Sequence, residues 1–335
     1  MFLASVIVPV YNGASTLGAC LRALAEQTIP HASYQVIVVD DGSTDGSAAI
    51  AAEHGAHLVC QDHAGPAAAR NRGALAARGE ILVFTDADCE PQPDWIEAML
   101  APFADPGVAG VKGAYRTRQR SVVARFAQAE YEEKYARLAG RPEIDFVDTY
   151  AAGYRRAVFL QAGGFDTGFP TATVEDQELS YRLAAAGHKL VFAPRAIVYH
   201  RHAATAWRYA RRKLHLGRWK VRVHARHPAR ALRDSYTPWT QKAQLLLVPL
   251  AVVVAGAAAL ARSRSRRRAL WSLAAGLAGL ALGSTLPLLA HARRQGWAVA
   301  LAAPPLALLR AAALDAGLAW GLLSRRGRRY GEGDR

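Results

Sequence analysis

Short apolar runs typical of buried strands alternate with helical segments along the first quarter of the chain. Gly55 follows one helical segment and Pro66 begins another, which are positions that these residues favour at helix ends. Strands joined by short helices predict an α/β fold with a mostly parallel, doubly wound sheet. The predicted strands are residues 1–10, 35–40, 57–60 and 81–84, and the predicted helices between them are residues 15–27, 45–54 and 66–78.

Two carboxylates, Asp86 and Asp88, follow the last of these strands. Ligands of open α/β sheets bind beyond the carboxyl ends of the strands. Mg²⁺ or Mn²⁺ accepts carboxylates there together with substrate phosphates, so the Asp-x-Asp sequence predicts a site for a divalent metal and a diphosphate. The alternative is a solvated turn that leads into Pro91 and Pro93.

Two other predicted strands end in polar residues that belong at the same edge of the sheet. Tyr11 follows the first strand, and Asp40 and Asp41 end the second. A carboxylate at this edge can accept hydrogen bonds from a base or a ribose, and Tyr11 can stack on the base. The alternatives are a turn with a helix cap for residues 40–45, and a surface charge for Arg70 on a following helix.

Charge is distributed unevenly over the 335 residues, of which 51% are hydrophobic, and the formal net charge is +15. Basic residues concentrate between Arg195 and Arg233, and long apolar stretches follow Lys242. A basic region beside apolar stretches, without a nucleic-acid motif, favours a membrane surface over nucleic acid as partner. The three cysteines have no paired spacing, so we expect free thiols.

Three later segments are each long enough for a membrane span, namely residues 243–261, 269–290 and 297–323. The last contains Arg310 and Asp315, which we expect to pair or to face a helix bundle. The positive-inside tendency favours a re-entrant first segment, bent at Pro249. That arrangement keeps residues 264–268 and a basic tail at residues 325–335 on the cytosolic side.

Five motifs, in order along the chain, resemble those of family 2 glycosyltransferases with the GT-A fold. They are Ser-Val-Ile-Val-Pro-Val-Tyr-Asn at 5–12, Val-Val-Asp-Asp-Gly-Ser-Thr-Asp at 38–45, Gly-Pro-Ala-Ala-Ala-Arg-Asn at 65–71, Phe-Thr-Asp-Ala-Asp at 84–88 and Val-Glu-Asp-Gln-Glu at 174–178. The resemblance covers about residues 1–220. It implies a nucleotide-sugar donor, a divalent metal and inversion at the anomeric carbon.

The resemblance also implies roles for single residues. Those assigned to the nucleotide sugar are Pro9, Tyr11, Asp40, Asp41, Arg70, Asn71 and Asp86. Asp88 would be the principal metal ligand, and Asp86 would contact the ribose or the metal. His200, which follows a Val-Tyr pair at the end of an apolar run, resembles the third metal ligand of the family. Its alternative role is that of a structural histidine.

Two further acids, Glu175 and Asp176, begin a helix predicted at residues 175–186. Amide dipoles at a helix N-terminus keep a carboxylate ionised, and an ionised carboxylate can accept a proton. Inverting transfer needs a base for the acceptor hydroxyl, and we assign this role to Asp176. The alternative is that both acids only complement the helix N-terminus.

A basic segment, residues 206–240, separates these acids from the apolar stretches. Processive members of the family carry Gln-x-x-Arg-Trp here, whereas this chain reads Leu216-Gly-Arg-Trp219, without the Gln. We expect the segment to bind a diphosphate or an anionic acceptor headgroup, or alternatively only to lie among lipid headgroups. The residues concerned are Arg211, Arg212, Lys213 and Trp219.

The sequence thus predicts a membrane-anchored, metal-dependent, inverting glycosyltransferase of the bacterial inner membrane, with its catalytic domain in the cytosol. The donor would be a UDP- or GDP-sugar, the cofactor Mg²⁺ or Mn²⁺, and the acceptor lipid-linked. The alternatives are a processive polysaccharide synthase and a catalytically silent sugar-nucleotide-binding scaffold. The predicted division is a catalytic domain at 1–205, an interfacial segment at 206–240, transmembrane or re-entrant helices at 241–324 and a basic tail at 325–335.

Overall fold

Eight strands form one sheet in the computed structural model, which describes residues 2–169, 171 and 173–326. The strands are β1 (Ala4–Val10), β2 (Tyr34–Asp40), β3 (His57–Cys60), β4 (Ile81–Phe84), β5 (Glu90–Pro91), β6 (Val108–Arg116), β7 (Ala152–Arg155) and β8 (Lys189–Tyr199). Their order across the sheet is β3-β2-β1-β4-β7-β6-β8-β5.

Helices connect the strands and make up most of the chain after β8. They are α1 (Ala14–Ala25), α2 (Ser47–Glu53), α3 (Pro66–Ala76), α4 (Trp95–Leu100), α5 (Val122–Leu138), α6 (Arg156–Gln161), α7 (Glu175–Ala185), α8 (Ala206–Arg226), α9 (Pro228–Leu232), α10 (Trp239–Leu260), α11 (Arg264–Gly283), α12 (Leu286–Arg294) and α13 (Trp297–Arg326). The alternation of strands and helices predicted for the first 84 residues is confirmed, and β3, β2, β1 and β4 are parallel.

The other half of the sheet is mixed. β7 runs antiparallel to both of its neighbours, β4 and β6, while β6 and β8 are parallel. The sequence did not predict β6 or β7, because β7 is short and β6 contains Gly110, Lys112 and Gly113, which strands disfavour. Tertiary packing overrides that preference, since Gly110 lies directly against Leu190 and Tyr154.

The shortest strand, β5, has a large effect on the geometry of the sheet edge. It pairs antiparallel with the end of β8, with Glu90 opposite Tyr199 and Pro91 opposite Val198. The residues that precede Glu90 and the residue that follows Tyr199 are therefore held side by side, although more than a hundred positions separate them in the sequence.

An aromatic cluster underlies the carboxyl end of β4. The ring centroid of Phe84 lies 5.4 Å from those of both Phe159 and Phe165, and the last two rings are 5.2 Å apart. All three side chains are buried. Burial of each contributes about 1.5–3 kcal/mol to stability, so the end of β4 rests on a rigid base.

The chain divides into two compact units. Unit 1 comprises the described residues up to Arg118, together with Tyr135–Arg201 and Asp234–Tyr236, and contains the whole sheet. Unit 2 comprises Gln119–Lys134, His202–Arg233 and the described chain from Thr237 onward. The two units therefore do not follow chain order. The division predicted from the sequence, into a catalytic domain, an interfacial segment, membrane helices and a basic tail, stays a prediction.

A buried polar network lies inside unit 2. Arg310 of α13 donates to the carboxylate of Glu130 on α5. It also donates to the amide oxygen of Gln244 on α10, at 2.7 Å. Tyr209 and Lys213 of α8 bond the other Glu130 oxygen, at 2.8 and 3.2 Å. Burial alone would raise the pKa of Glu130, but Lys213 and Arg310 outweigh burial and lower it to about 2. Glu130 is therefore ionised and holds several helices together.

Two helices, Trp239–Leu260 and Trp297–Ser324, are long and apolar enough to span a membrane, within the described part of the chain. The first exposes apolar side chains such as Leu246, Val252 and Leu260. The predicted bend at Pro249 is wrong, because Pro249 lies inside a continuous helix; membrane helices tolerate such prolines. The break occurs instead between α11 and α12, which are bent by 40°.

The charged residues of the last apolar segment are also settled by the structure. Arg310 is buried and pairs with Glu130, as expected for a charge that faces a bundle. Asp315 is only partly buried and does not pair with Arg310. Most of the predicted basic tail lies outside the described residues, which end at 326.

Glycines allow the backbones of α8 and α13 to approach closely within unit 2. A Cβ atom on Gly317 would overlap the carbonyl oxygen of Leu214, and one on Gly217 would overlap that of Leu314. The basic helix α8 therefore packs tightly along α13, one of the two candidate spans.

We predict that Gly317→Ala destabilises unit 2 by about 1–3 kcal/mol, because backbone cannot move aside as a flexible side chain can. The measurement is thermal unfolding of the full-length protein in detergent, followed by tryptophan fluorescence. Gly256→Ala in α10 is the matched control, since its Cβ would meet open space. Equal melting temperatures for the two variants would contradict the close packing.

Candidate active site

The carboxyl end of β2 carries two acids that hold neighbouring loops. Asp40 accepts a hydrogen bond from the Ser43 backbone N–H at 2.9 Å. Asp41 is buried and accepts from the backbone N–H groups of Ala64 and Gly65, each at 2.9 Å, and from Gln61 Nε2 at 2.6 Å. The doubled Asp thus shapes the edge of the sheet, and its assignment to a nucleoside stays a prediction.

A flat aromatic surface lies beside these acids. Tyr11, which is 51% exposed, stacks on His63 with ring centroids 4.0 Å apart. His63 Nδ1 in turn lies 3.0 Å from Asp41 Oδ2. His63 was not predicted as a site residue, although the polar residues that follow β3 mark a third strand end at this edge. Pro9, also assigned to the nucleoside, is half-buried near the end of β1.

Arg70 is the central cation of the site. Its guanidinium is buried and donates to Asp86 Oδ1 and to Glu175 Oε1, each at 2.8 Å. Burial alone would lower the pKa of Arg70, but the two carboxylates outweigh burial and raise it above its ordinary value. The alternative of a simple surface charge is therefore wrong. Arg70 joins the end of β4 to the start of α7.

Asn71 holds the glycine-rich turn of residues 163–166. Its amide donates to the Phe165 carbonyl oxygen at 2.8 Å and accepts from the Phe165 N–H at 2.9 Å. Gly164 has a φ of +67°, and a Cβ there would lie 2.5 Å from Asn71 Oδ1. The side chain of Asn71 is thus engaged with this turn, and its predicted role near the nucleotide remains untested.

Asp88 and His200, two of the three residues predicted to hold a metal, lie close together. His200 Nε2 lies 3.6 Å from Asp88 Oδ2, because the pairing of β5 with β8 brings these positions side by side. Two ligand atoms at that separation can share one cation with bonds of about 2.0–2.2 Å. The carboxylate suits Mg²⁺ or Mn²⁺, and the imidazole suits a transition metal, so the residues present fit a divalent metal, Mn²⁺ better than Mg²⁺.

Cys89 is the third potential ligand within 4.8 Å of this pair. Burial, together with the charges of Asp86 and Asp88, raises the pKa of the Cys89 thiol well above its ordinary value. Soft thiolate ligands suit Zn²⁺ or Cu⁺ rather than Mg²⁺ or Mn²⁺, so Cys89 suits these two cations less well than Asp88 does. Asp86 lies outside this group, and its carboxylate is bound by Arg70.

Aromatic rings fix the orientation of His200. The ring of Tyr150 has its centroid 4.4 Å from that of His200, and the ring of Tyr115 lies 6.0 Å away. The His200 backbone N–H also donates to the Arg116 carbonyl oxygen at 2.9 Å, which extends the ladder between β6 and β8. The imidazole is therefore held in place before any ion binds.

Asp176 occupies the first turn of α7, but its environment differs from the one that the sequence suggested. A helix N-terminus favours the ionised carboxylate, whereas burial, Glu175 and Asp148 raise the pKa of Asp176 well above its ordinary value. Arg70 and the hydrogen bond from the Gln177 N–H oppose this only in part. Asp176 is thus a stronger base than an exposed aspartate.

The residues predicted to contact an acceptor lie on α8, in unit 2. Arg211 and Arg212 are exposed, and Trp219 is half-buried. Lys213 pairs with the buried carboxylate of Glu130.

Comparison with known proteins agrees with this arrangement. The sequence model of the family described as glycosyl transferase family 2 matches residues 5–162. Two curated relatives are a pre-mycofactocin glycosyltransferase of Mycobacterium tuberculosis, 30% identical over 234 residues, and a validoxylamine A glucosyltransferase of Streptomyces hygroscopicus subsp. jinggangensis, 32% identical over 222 residues. The alignments cover 67% and 55% of this chain, and 48% and 52% of those proteins. The chain therefore spans about half the length of these relatives.

The fold also matches a solved structure, that of the mannosyltransferase PcManGT from Pyrobaculum calidifontis in complex with GDP-Man and Mn²⁺. The TM-score is 0.61 at 22% identity, over 96% of this chain and 88% of that one. This likeness establishes the fold alone, and it confirms the expected GT-A type of sheet followed by C-terminal helices. By its motifs and its family match, the segment of residues 5–162 belongs to glycosyl transferase family 2.

Proposed function

We propose that the protein transfers a sugar from a UDP- or GDP-sugar to an acceptor hydroxyl or phosphate, with inversion at the anomeric carbon. The observation that carries this proposal is the position of Arg70, which ties Asp86 of the Asp-x-Asp sequence to Glu175, the neighbour of Asp176. A diphosphate-binding edge and a candidate base are thereby fixed in one rigid unit. The bound GDP-Man of PcManGT supports a nucleotide-sugar donor.

In this proposal the edge formed by β1, β2 and β4 binds the donor. The exposed Tyr11 ring, backed by His63, offers a surface on which a nucleobase can stack. Asp40 and Asp41 lie beside it and can accept hydrogen bonds from the nucleoside. Mg²⁺ or Mn²⁺ held by Asp88 and His200 would neutralise the charge of the diphosphate.

Asp176 acts as the base in the transfer step. Its carboxylate takes the proton of the acceptor hydroxyl while the hydroxyl oxygen forms a bond to the anomeric carbon. The bond from that carbon to the diphosphate oxygen breaks at the same time, and its electron pair leaves with the nucleoside diphosphate. The raised pKa of Asp176 makes its carboxylate a stronger proton acceptor than an exposed aspartate.

We predict that Asp176→Asn lowers kcat by about 10²–10⁴-fold while donor binding persists, because the base acts only when the acceptor attacks. Glu175→Gln should be milder, since a glutamine oxygen can still accept from Arg70. The measurements are steady-state turnover and calorimetric binding of UDP- and GDP-sugars. An active Asp176→Asn with an inactive Glu175→Gln would reverse the two roles.

We predict that Asp88→Asn and His200→Gln each weaken Mn²⁺ binding by about 10-fold or more, because each removes a direct ligand. Electron paramagnetic resonance of free Mn²⁺, with UDP or GDP present, measures this without any turnover. Cys89→Ser is the control and should bind Mn²⁺ normally, because sulfur is a poor ligand for Mn²⁺. Undiminished transfer by wild-type protein in excess chelator would exclude a required metal.

The acceptor is proposed to be lipid-linked, in cell-envelope glycan or glycolipid synthesis at the bacterial inner membrane, with unit 1 in the cytosol. The two candidate spans support attachment to a membrane. The exposed Arg211 and Arg212 lie on a helix that packs along one of these spans, and positive charges there favour an anionic headgroup. An enzyme that acts on a soluble acceptor would not need a basic helix packed along a candidate membrane span.

We predict that Arg211→Gln with Arg212→Gln raises KM for an anionic polyprenyl-phosphate acceptor, by roughly five-fold per charge, at about 1 kcal/mol each. The donor KM should not change. Kinetics of the full-length protein in nanodiscs measure both constants. Arg266→Gln with Arg267→Gln is the control for a loss of charge elsewhere. Equal rates on a soluble sugar acceptor, with no gain from the lipid, would refute a lipid-linked acceptor.

A further inference from the structure

A fully buried lysine lies in the middle of the sheet of unit 1. Lys112 belongs to β6 and has no exposed surface. Its ammonium faces four aromatic rings, with centroids 5.0–5.7 Å from Nζ, and pairs with the carboxylate of Asp148. The rings belong to Tyr115, Tyr135, Phe146 and Tyr236. We call this set, with Lys112 and Asp148, the lysine cage.

The lysine cage is costly to build and has no part in the transfer step described above. Removing an ammonium from water is unfavourable, and one carboxylate and several ring faces compensate only in part. Burial lowers the pKa of Lys112 below its ordinary value, although Asp148 opposes this. An apolar residue would fill a buried strand position at a lower cost in folding free energy. Packing alone therefore does not account for the two charges.

Hydrogen bonds fasten the segment around Asp148 to the first turns of α7. The Ser180 hydroxyl donates to the Asp176 carbonyl oxygen at 2.7 Å and accepts from the Val147 N–H at 3.0 Å. Val147 precedes Asp148 in the chain, so Asp148 is held near the helix that presents Asp176. Tyr236 contributes from the other side, with its hydroxyl 3.4 Å from Asp148 Oδ2.

The charged and titratable groups around Asp176 come from several elements. Glu175 precedes it on the chain, Arg70 approaches from α3, and Asp148 lies in the loop before β7. Tyr154 of β7 stays neutral, because burial raises the pKa of its hydroxyl. Lys112 also feels the charge of Asp176. Two anions act on Asp176, namely Glu175 and Asp148. Arg70 binds Glu175 directly, whereas Lys112 is the counterion of Asp148.

We propose that Asp148 is a positioning residue for the base, and that Lys112 is the counterion that keeps Asp148 charged in the interior. This inference rests on the proposed function, because it concerns how Asp176 becomes basic enough to take the acceptor proton. The fixed negative charge of Asp148 disfavours a second negative charge at Asp176. A proton on Asp176 is thereby stabilised, which makes its carboxylate a stronger proton acceptor.

The sign of the effect can be tested. Protonated Asp176 cannot act as base, so turnover falls as the pH drops through its pKa. Removing the charge of Asp148 lowers that pKa, and the acidic limb of kcat against pH moves to lower pH. In Asp148→Asn the acidic limb shifts to lower pH whether Lys112 stays protonated or becomes neutral. Neither form of Lys112 repels the Asp176 carboxylate, whereas an ionised Asp148 does.

The experiment compares the pH dependence of kcat for full-length wild type, Asp148→Asn and the double variant Lys112→Met with Asp148→Asn. We expect the acidic limb to move down by roughly one pH unit in Asp148→Asn. In the double variant it should move in the same direction but less far, because the cation is lost as well. The double variant removes both buried charges together and so leaves no unpaired charge in the interior. We therefore expect it to fold even if the single variant does not. Thermal unfolding confirms that each protein measured is folded.

Asp145→Asn is the matched control. Asp145 is a buried acid on the same segment, and it accepts from the Ser235 N–H at 2.9 Å. Its loss should reduce stability without moving the limb. A wild-type limb position in the folded double variant would overturn the inference. If Asp176→Asn abolishes transfer in the same assay, the proposed function stands even where the inference fails.

Discussion

The site depends on one buried guanidinium. Arg70 occupies the interior of unit 1, where an unpaired charge would be strongly destabilising, so the fold must supply carboxylates to it. Asp86 arrives from the end of β4 and Glu175 from the start of α7. Satisfying Arg70 therefore sets the distance between the Asp-x-Asp sequence and the helix that carries Asp176. The charge of one side chain joins the donor-binding edge to the candidate base.

A second constraint comes from backbone pairing. The two residues of β5 dock on the end of β8, and this pairing brings His200 beside Asp88. Neither residue could reach the other through local structure. The rings of Tyr115 and Tyr150 then hold the imidazole. The pairing thus fixes the turn that carries Asp88 beside the end of β8, which favours a well-defined geometry for the proposed metal site.

Electrostatics at Asp176 shows how tertiary neighbours outweigh local dipoles. The first turn of α7 favours an ionised carboxylate, yet burial and two neighbouring acids raise its pKa. In unit 2 the opposite occurs, because cations from α8 and α13 outweigh burial at Glu130 and lower its pKa. The same kind of side chain is therefore tuned in opposite directions by the partners that the fold assembles around it.

The sequence alone determined the parallel half of the sheet, the polar strand ends and the apolar segments, because hydrophobic periodicity and turn residues are local signals. Motifs in the sequence also identified Asp88, His200 and Asp176 as candidate site residues. Only the tertiary structure decided that Arg70 is buried, that α10 runs straight through Pro249, and which neighbours surround each acid. β6 and the lysine cage escaped prediction for the same reason: a lysine between two glycines disfavours a strand until partners distant in sequence, from Asp148 to Tyr236, surround it.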